Sequence, residues 1–323
     1  MAQKLGKNHK ILCTSRNYSQ VVDLAKIKRV KLLIVGKHGG SGREEKLKAS
    51  THRIDRLTEI VSKFSPDLVI SFCSPEAARV AFGLGIKHVA FSDSPHAEAV
   101  MRLALPFVQK LLIPWIIPKE EFVRYGISKN NIIQYKSIDA AAIVKNKSTL
   151  QPVNVGKQRK TVVIRVEESA AAYVLEKTSI SNKIIYEFSK EAKKYNVIVL
   201  ARYKSEINRF RKKFGDKVKI MSKVVDGKSL LSVTDLFIGS GGTMTAEAAL
   251  MGIPTISYDA VPNYVEKYLV KIGLVRRETN SKNILRVAKR MLERDSTNKE
   301  KAKKVLNSME DPFLKLMFAI KTL

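Results

Sequence analysis

The chain has 323 residues, 45% apolar and 28% charged, the composition of a globular protein long enough for two domains of about 150 residues each. Its two cysteines, Cys13 and Cys73, are too few for a disulfide framework or a cysteine metal cluster. Lysine and arginine number 59 against 30 aspartate and glutamate, and the net charge of +29 favours phosphates, anionic lipid surfaces or nucleic acid.

In chain order, "MAQKLGKNHKILCTS" reads as the tail of a helix running into a strand, so the first domain is expected to lack its opening strand and turn. Short apolar runs then recur at "HKILCT", "VKLLIVG", "DLVISFC", "KHVAFS" and "KLLIP", separated by amphipathic stretches. The pattern predicts parallel strands joined by crossover helices. Ser74-Pro75-Glu76 and Ser94-Pro95-His96 each place a serine cap before a proline at the first helical position. The apolar stretch "MRLALPFVQKLLIPWIIP" from Met101 is interrupted by Arg102, Lys110 and three prolines, whereas a spanning helix needs about 20 nearly uncharged residues. The predicted location is therefore the cytoplasm, with peripheral contact at the inner membrane face through the basic surface and this stretch.

Residues 144–160, "VKNKSTLQPVNVGKQRK", have lost both helical and strand periods and read as a linker. Beyond it, "KTVVIRV", "YNVIVLA", "DKVKIM", "DLFIG" and "IPTIS" repeat the strand pattern. The predicted fold is α/β: two Rossmann-like domains, 1–145 and 155–323, facing across a cleft, with the last helix packing back on the N-terminal domain. In such sheets ligands sit beyond the carboxyl ends of the strands, so the functional residues are sought at strand-to-helix turns.

The densest such turn is "FIGSGGTMTAEAALMGIPTIS", residues 237–257. Gly239, Ser240, Gly241 and Gly242 join a buried strand to an alanine-rich helix that starts near Thr243 and ends at Gly252, before Pro254. Without Cβ atoms the turn lets a ligand reach the backbone, and the amides and dipole of the helix start favour an anion, best a diphosphate. Glu247, just over one turn into the helix, would repel phosphate but suits ribose hydroxyls. A glycine turn required only for close helix packing is the plain alternative.

Elsewhere, His96 is predicted at a helix start, where the dipole favours the neutral imidazole of a general base, with Asp93 orienting the ring or merely capping. His38 in "GKHGGSG" is a rival base at another strand end. Arg165 and Arg202 close two strands of the second half; guanidinium forks there suit phosphates and uracil carbonyls.

Ser240-Gly241-Gly242, Glu247 and Gly252-x-Pro254 resemble the nucleotide-sugar signature of GT-B glycosyltransferases, in particular the N-acetylglucosaminyltransferase of peptidoglycan synthesis. Over nearly the whole chain, "VGKHGGSGREEKLKASTHR", "PDLVISFCSPEAARVAFGLGI" and the glycine motif look like an archaeal family of unknown function that shares this fold. The resemblance implies that basic residues such as Arg165 and Arg202 hold the nucleotide and that Asp259 and Asn263 contact the hexose. His96-Ala97-Glu98-Ala99-Val100-Met101-Arg102 is similar to the H-x-E-A-x-x-R stretch of non-hydrolysing UDP-N-acetylglucosamine 2-epimerases, which adds Glu98 to the catalytic candidates. Those epimerases carry an aspartate where this chain has Gly239, and their glutamate falls one residue before Glu247.

The expected function is transfer of a sugar, without metal or cofactor, from a nucleotide-diphosphate donor that is UDP-linked and bound as substrate, to an acceptor such as a polyprenyl phosphate. A UDP-sugar 2-epimerase is the alternative enzyme. A polyanion- or nucleic-acid-binding protein is the non-catalytic alternative, disfavoured because 7% aromatics and one tryptophan provide no stacking platform.

Overall fold

A computed structural model describes residues 1–40, 42–146, 152–155, 159–167, 180–201, 203–222, 225–258, 263–293 and 297–323. The chain divides into two compact units, Met1–Ser137 with Glu310–Leu323, and Ile138–Met309. No described helix is long and apolar enough to cross a membrane.

The first unit contains strands β1 (Thr14–Asn17), β2 (Leu33–Lys37), β3 (Leu68–Ser71), β4 (Lys87–Phe91), β5 (Lys110–Pro114) and β6 (Ile132–Tyr135). All pair in parallel, but in two sheets: β1 with β2, and a four-stranded sheet in the order β3-β4-β5-β6. Among the described residues β1 and β3 each keep an edge without a strand partner. Val89, Phe91, Leu112 and Tyr135 on one face of the larger sheet pack with Leu5 and with Leu316 and Ala319 of the helix Pro312–Lys321. That helix starts sharply because Asp311 accepts from the Phe313 amide at 3.0 Å and Pro312 takes the first helical position. The long helix Arg43–Phe64 sets Leu57 against Val35 of β2 and Val80 of the helix Pro75–Gly83.

Of the two serine-proline helix starts, Ser74 behaves as the sequence predicts, its hydroxyl accepting from the Ala77 amide at 3.4 Å with Pro75 in the first turn. Ser94 does not. Its hydroxyl donates to Asp93 Oδ1 at 2.7 Å, its carbonyl accepts from the Ala97 amide at 3.0 Å, and the helix begins only at Glu98. With the hydroxyl engaged by Asp93, residues 94–97 form a turn of their own, so His96 lies before the helix and not in its first turn.

The second unit is a six-stranded parallel sheet in the order β12-β11-β10-β7-β8-β9. Its strands are β7 (Lys160–Arg165), β8 (Tyr195–Leu200), β9 (Lys219–Met221), β10 (Leu236–Gly239), β11 (Thr255–Ser257) and β12 (Arg276–Arg277). β7 is apolar on both faces: Val162 and Ile164 join a cluster with Phe188, Phe210 and Ile284, while Val163 joins Leu230, Phe237 and Ala248 on the other. Burial on both sides is what a parallel sheet covered by helices demands of its central strands. The chain lays β7, β8 and β9 outward in one direction and then returns to place β10, β11 and β12 in the other. The reversal point lies between β7 and β10.

Buried His88 on β4 bonds Ser71 Oγ through Nε2 at 2.9 Å and has no partner for Nδ1. Burial pushes its pKa down to about 4. Between that value and the ordinary 6.5, the unfolded chain takes up a proton that the folded one refuses. The stability that neutral His88 confers is therefore complete above pH 6.5 and is lost as pH falls towards 4. The difference in unfolding free energy between wild type and His88→Gln should shrink or reverse across that window, by about 3 kcal/mol at most. Urea titrations at stepped pH check this; a constant difference would refute it.

Candidate functional site

The reversal point between β7 and β10 brings together two of the features read from the sequence. β7 ends at Arg165, and β10 ends at Gly239, from which Ser240, Gly241 and Gly242 lead into the helix Thr243–Leu250. Gly241 adopts φ +83°, a left-handed conformation open to glycine at little cost. Gly239 is required for a different reason: a Cβ there would lie 2.6 Å from the Phe237 ring and 2.7 Å from Thr245 Oγ1. Gly242 is the helix cap, with no side chain to occupy the first-turn amides and open space where a Cβ would stand. Together these make a helix start whose backbone donors face an accessible edge, the geometry that receives anions.

Arg165 lies at the same place. Its Nη1 is 3.8 Å from Met244 Sδ in the first turn of that helix, and its carbonyl accepts from Tyr258 Oη at 2.7 Å. The same hydroxyl hydrogen is shared with Glu167 Oε2 at 3.0 Å, and burial, reinforced by the Glu167 charge, raises the pKa of Tyr258 well above the ordinary value. Tyr258 thus remains a neutral donor that ties β11 to the end of β7.

Glu247 is buried on the same helix, with Oε2 beside Gly227 at the start of the helix Gly227–Leu231. Every residue from Thr245 to Leu250 is buried, so this helix has almost no solvent face, and Glu247 is its one carboxylate. Asn263 stands across from the loop: its Nδ2 donates to the Gly241 carbonyl at 3.2 Å, and its Oδ1 accepts from the Glu266 amide at 2.8 Å. Behind it, Glu266 Oε1 accepts from Ser257 Oγ and from Arg277 Nη1, the latter at 2.8 Å. Arg202 and Asp259 lie outside the described residues.

The first unit presents a separate group of polar residues. Glu76, almost wholly buried at the start of the helix after β3, accepts from Arg16 at 2.7 Å, Ser50 at 3.0 Å and Ser74 at 2.9 Å. Burial opposes ionisation of Glu76, but the Arg16 charge and the surrounding hydrogen bonds outweigh it and hold its pKa below the usual range. His38, after β2, has its pKa lowered by partial burial and by the charges of Arg16 and Lys46. The Gly40 amide donates to its Nδ1 at 3.1 Å, which makes Nε2 the protonated nitrogen of the neutral ring. His38 is thereby set up as a hydrogen-bond donor rather than as a base. Cys73, at the turn after β3, is pushed up to about 12 by burial and remains a thiol.

His96 and Glu98 line a cavity of about 240 Å³ with Arg102, Arg124 and Tyr125. Tyr125 Oη holds the Pro95 carbonyl at 2.9 Å, and the two guanidinium groups lie 5.9 and 4.9 Å from its ring centre. Glu98 is paired with Arg102 at 2.7 Å, and Asp93 is bonded to Ser94. Among the described residues, no group of histidine, cysteine, aspartate or glutamate is arranged to hold a metal ion. Sequence reading missed Glu76, Tyr258, Glu266 and Arg277. Glu76 and Glu266 had weak signals, each standing just inside a helix start after a serine or asparagine, where an acidic residue is ordinarily read as a helix-dipole partner.

Comparison with known proteins fits this architecture. An uncharacterised protein of Methanocaldococcus jannaschii, MJ0665, is 28% identical over 284 residues, covering 85% of this chain and 81% of its own. The UDP-GlcNAc 2-epimerase of Neisseria meningitidis, solved with UDP-GlcNAc, superposes with a TM-score of 0.69 at 16% identity, over 95% of this chain and 94% of that one. The kitacinnamycin glycotransferase superposes with a TM-score of 0.56 at 13% identity, over 95% and 89%. These similarities give the fold as α/β and GT-B-like, the class of UDP-sugar epimerases and glycosyltransferases. With its family model matching residues 2–321, the chain belongs to the family described as protein of unknown function DUF354.

Proposed function

We propose that this protein binds a UDP-linked sugar at the β7–β10 reversal point and transfers the sugar to an acceptor oxygen, that of a polyprenyl phosphate being the acceptor tested below. The observation that supports the reading most is the glycine loop itself: a left-handed Gly241, an uncapped helix start at Gly242 and the guanidinium of Arg165 beside its first turn. The loop amides and Arg165 receive the diphosphate and offset the charge that develops on it as the glycosidic bond breaks. Glu247 accepts hydrogen bonds from the ribose. No metal is needed in this scheme. The cavity beside His96 in the first unit, lined by Arg102, Arg124 and Tyr125, is the candidate site for the anionic acceptor.

A 2-epimerase is the second reading, favoured by the fold similarity to the Neisseria meningitidis enzyme and by the His96–Arg102 stretch. Gly239 weighs against it. The aspartate those epimerases carry has no room here, between Phe237 and Thr245. An epimerase converts its donor without any acceptor, whereas a transferase releases UDP in proportion to acceptor glycosylation.

Two measurements test the proposal. In a thermal-shift panel, UDP-sugars should raise Tm more than free sugars do; ligand at a hundredfold its Kd adds about 2.7 kcal/mol. Following donor by NMR with and without a polyprenyl phosphate should show sugar transfer only with the acceptor present. Isomerisation of donor alone would establish the epimerase instead.

Glu247→Gln should weaken UDP-sugar binding by about 1–3 kcal/mol, the cost of a charged hydrogen bond, and leave inorganic diphosphate binding unchanged. Calorimetric titration with both ligands checks this, and an equal loss for the two would remove the ribose role.

A further inference from the structure

We propose that Asn263 is the positioning residue of the glycine loop, fixing its anion-receiving conformation before any ligand arrives. The proposal deepens the diphosphate reading of that loop and rests on it. A glycine turn is costly to order, because glycine loses more backbone freedom than any other residue on being fixed. Gly241 must nevertheless be held at φ +83° for the following amides to face outward together.

One side-chain amide does this from two ends. Nδ2 of Asn263 donates to the Gly241 carbonyl at 3.2 Å, while Oδ1 caps the helix Tyr264–Lys271 by accepting from the Glu266 amide at 2.8 Å. A clamp is only as stiff as its mounting, and the mounting is buried. Glu266 is 3% exposed, and its Oε1 takes hydrogen bonds from both Ser257 and Arg277. Ser257 closes β11 and is in register with Gly239, the residue from which the loop departs. The connections therefore form a closed ring: β10, the loop, Asn263, Glu266, Ser257 and back across the sheet to β10.

Glu266 Oε2 is buried without a hydrogen-bond partner. A carboxylate held that way is destabilising relative to an apolar residue of similar size. Through Ser257 and Arg277 its Oε1 ties the helix start that carries Asn263 to β11 and β12. A loop ordered in advance binds its ligand without the ordering cost, which is how the clamp raises affinity.

Asn263→Ser separates the two ends of the clamp. Serine caps helices about as well as asparagine, but its hydroxyl is too short to cap the helix and reach the Gly241 carbonyl together. In ligand-free protein, amide hydrogen exchange at Gly241–Met244 should speed up several-fold in Asn263→Ser while Tm remains that of wild type. UDP affinity, read by calorimetry, should fall about five- to tenfold, the order expected for one lost hydrogen bond. Asn263→Ala, which loses both ends, should speed exchange equally and lower Tm as well. Unchanged exchange in Asn263→Ser overturns the clamp, whatever UDP does. Faster exchange in a protein whose wild type does not bind UDP supports the clamp and removes the diphosphate reading alone.

Discussion

The glycine loop depends on how closely the helix Thr243–Leu250 approaches the sheet. Phe237 projects from β10 and Thr245 from the helix, and the space between them at Gly239 is too small for a methyl group. That approach buries six consecutive helix residues, which an amphipathic helix with a polar face could not tolerate. Alanine at positions 246, 248 and 249 is the consequence, since larger residues would force the helix outward. The glycines and the alanines are thus two results of one packing constraint. The same constraint buries Glu247, the one carboxylate of this helix, with its Oε2 beside Gly227.

The two units handle their sheet edges differently. In the second, the reversal of strand order places β7 and β10 side by side with full helical cover on both faces, and the carboxyl ends of both strands open onto one polar site. In the first, β1 and β2 stand apart from the four-stranded sheet, and side chains bridge where backbone does not. Arg16 of β1 reaches the carboxylate of Glu76 after β3, which also collects Ser50 and Ser74. A hydrogen-bonded ion pair can orient two elements, but it leaves the ladder groups of both edges without the partners a strand would supply.

Much of this was legible in the sequence, for reasons visible in individual residues. Strands β7, β8 and β10 are runs of valine, isoleucine and phenylalanine that could be little else, and Ser74-Pro75 announced its helix. β6 and β12 were missed: Ile132–Tyr135 is a short edge strand with a glutamine, and Arg276–Arg277 has no apolar pattern at all. Ser94-Pro95 misled because a cap is chosen by where a hydroxyl points. Ser94 points at Asp93, a local competition that spacing does not encode. The site divides the same way. The glycine loop and Glu247 stand in one continuous stretch, whereas Tyr258, Glu266 and Arg277 act through contacts that only the folded sheet creates.

Charge illustrates the same limit. A net charge of +29 reads as affinity for anions in general, yet among the described residues few groups have a definite anion geometry. Arg165 gains its direction from the first turn of a helix, whereas Arg102 and Arg124, although they lie against the ring of Tyr125, are themselves paired with Glu98 and Glu121. Several other cations are already committed to exposed ion pairs, such as Lys48 with Glu44 and Arg56 with Glu59, which contribute little to stability and nothing to recognition. The surface charge raises the local concentration of any polyanion. Selection of a diphosphate requires donors fixed in direction as well as sign, and the proposed site would supply them as backbone amides held by glycine and asparagine.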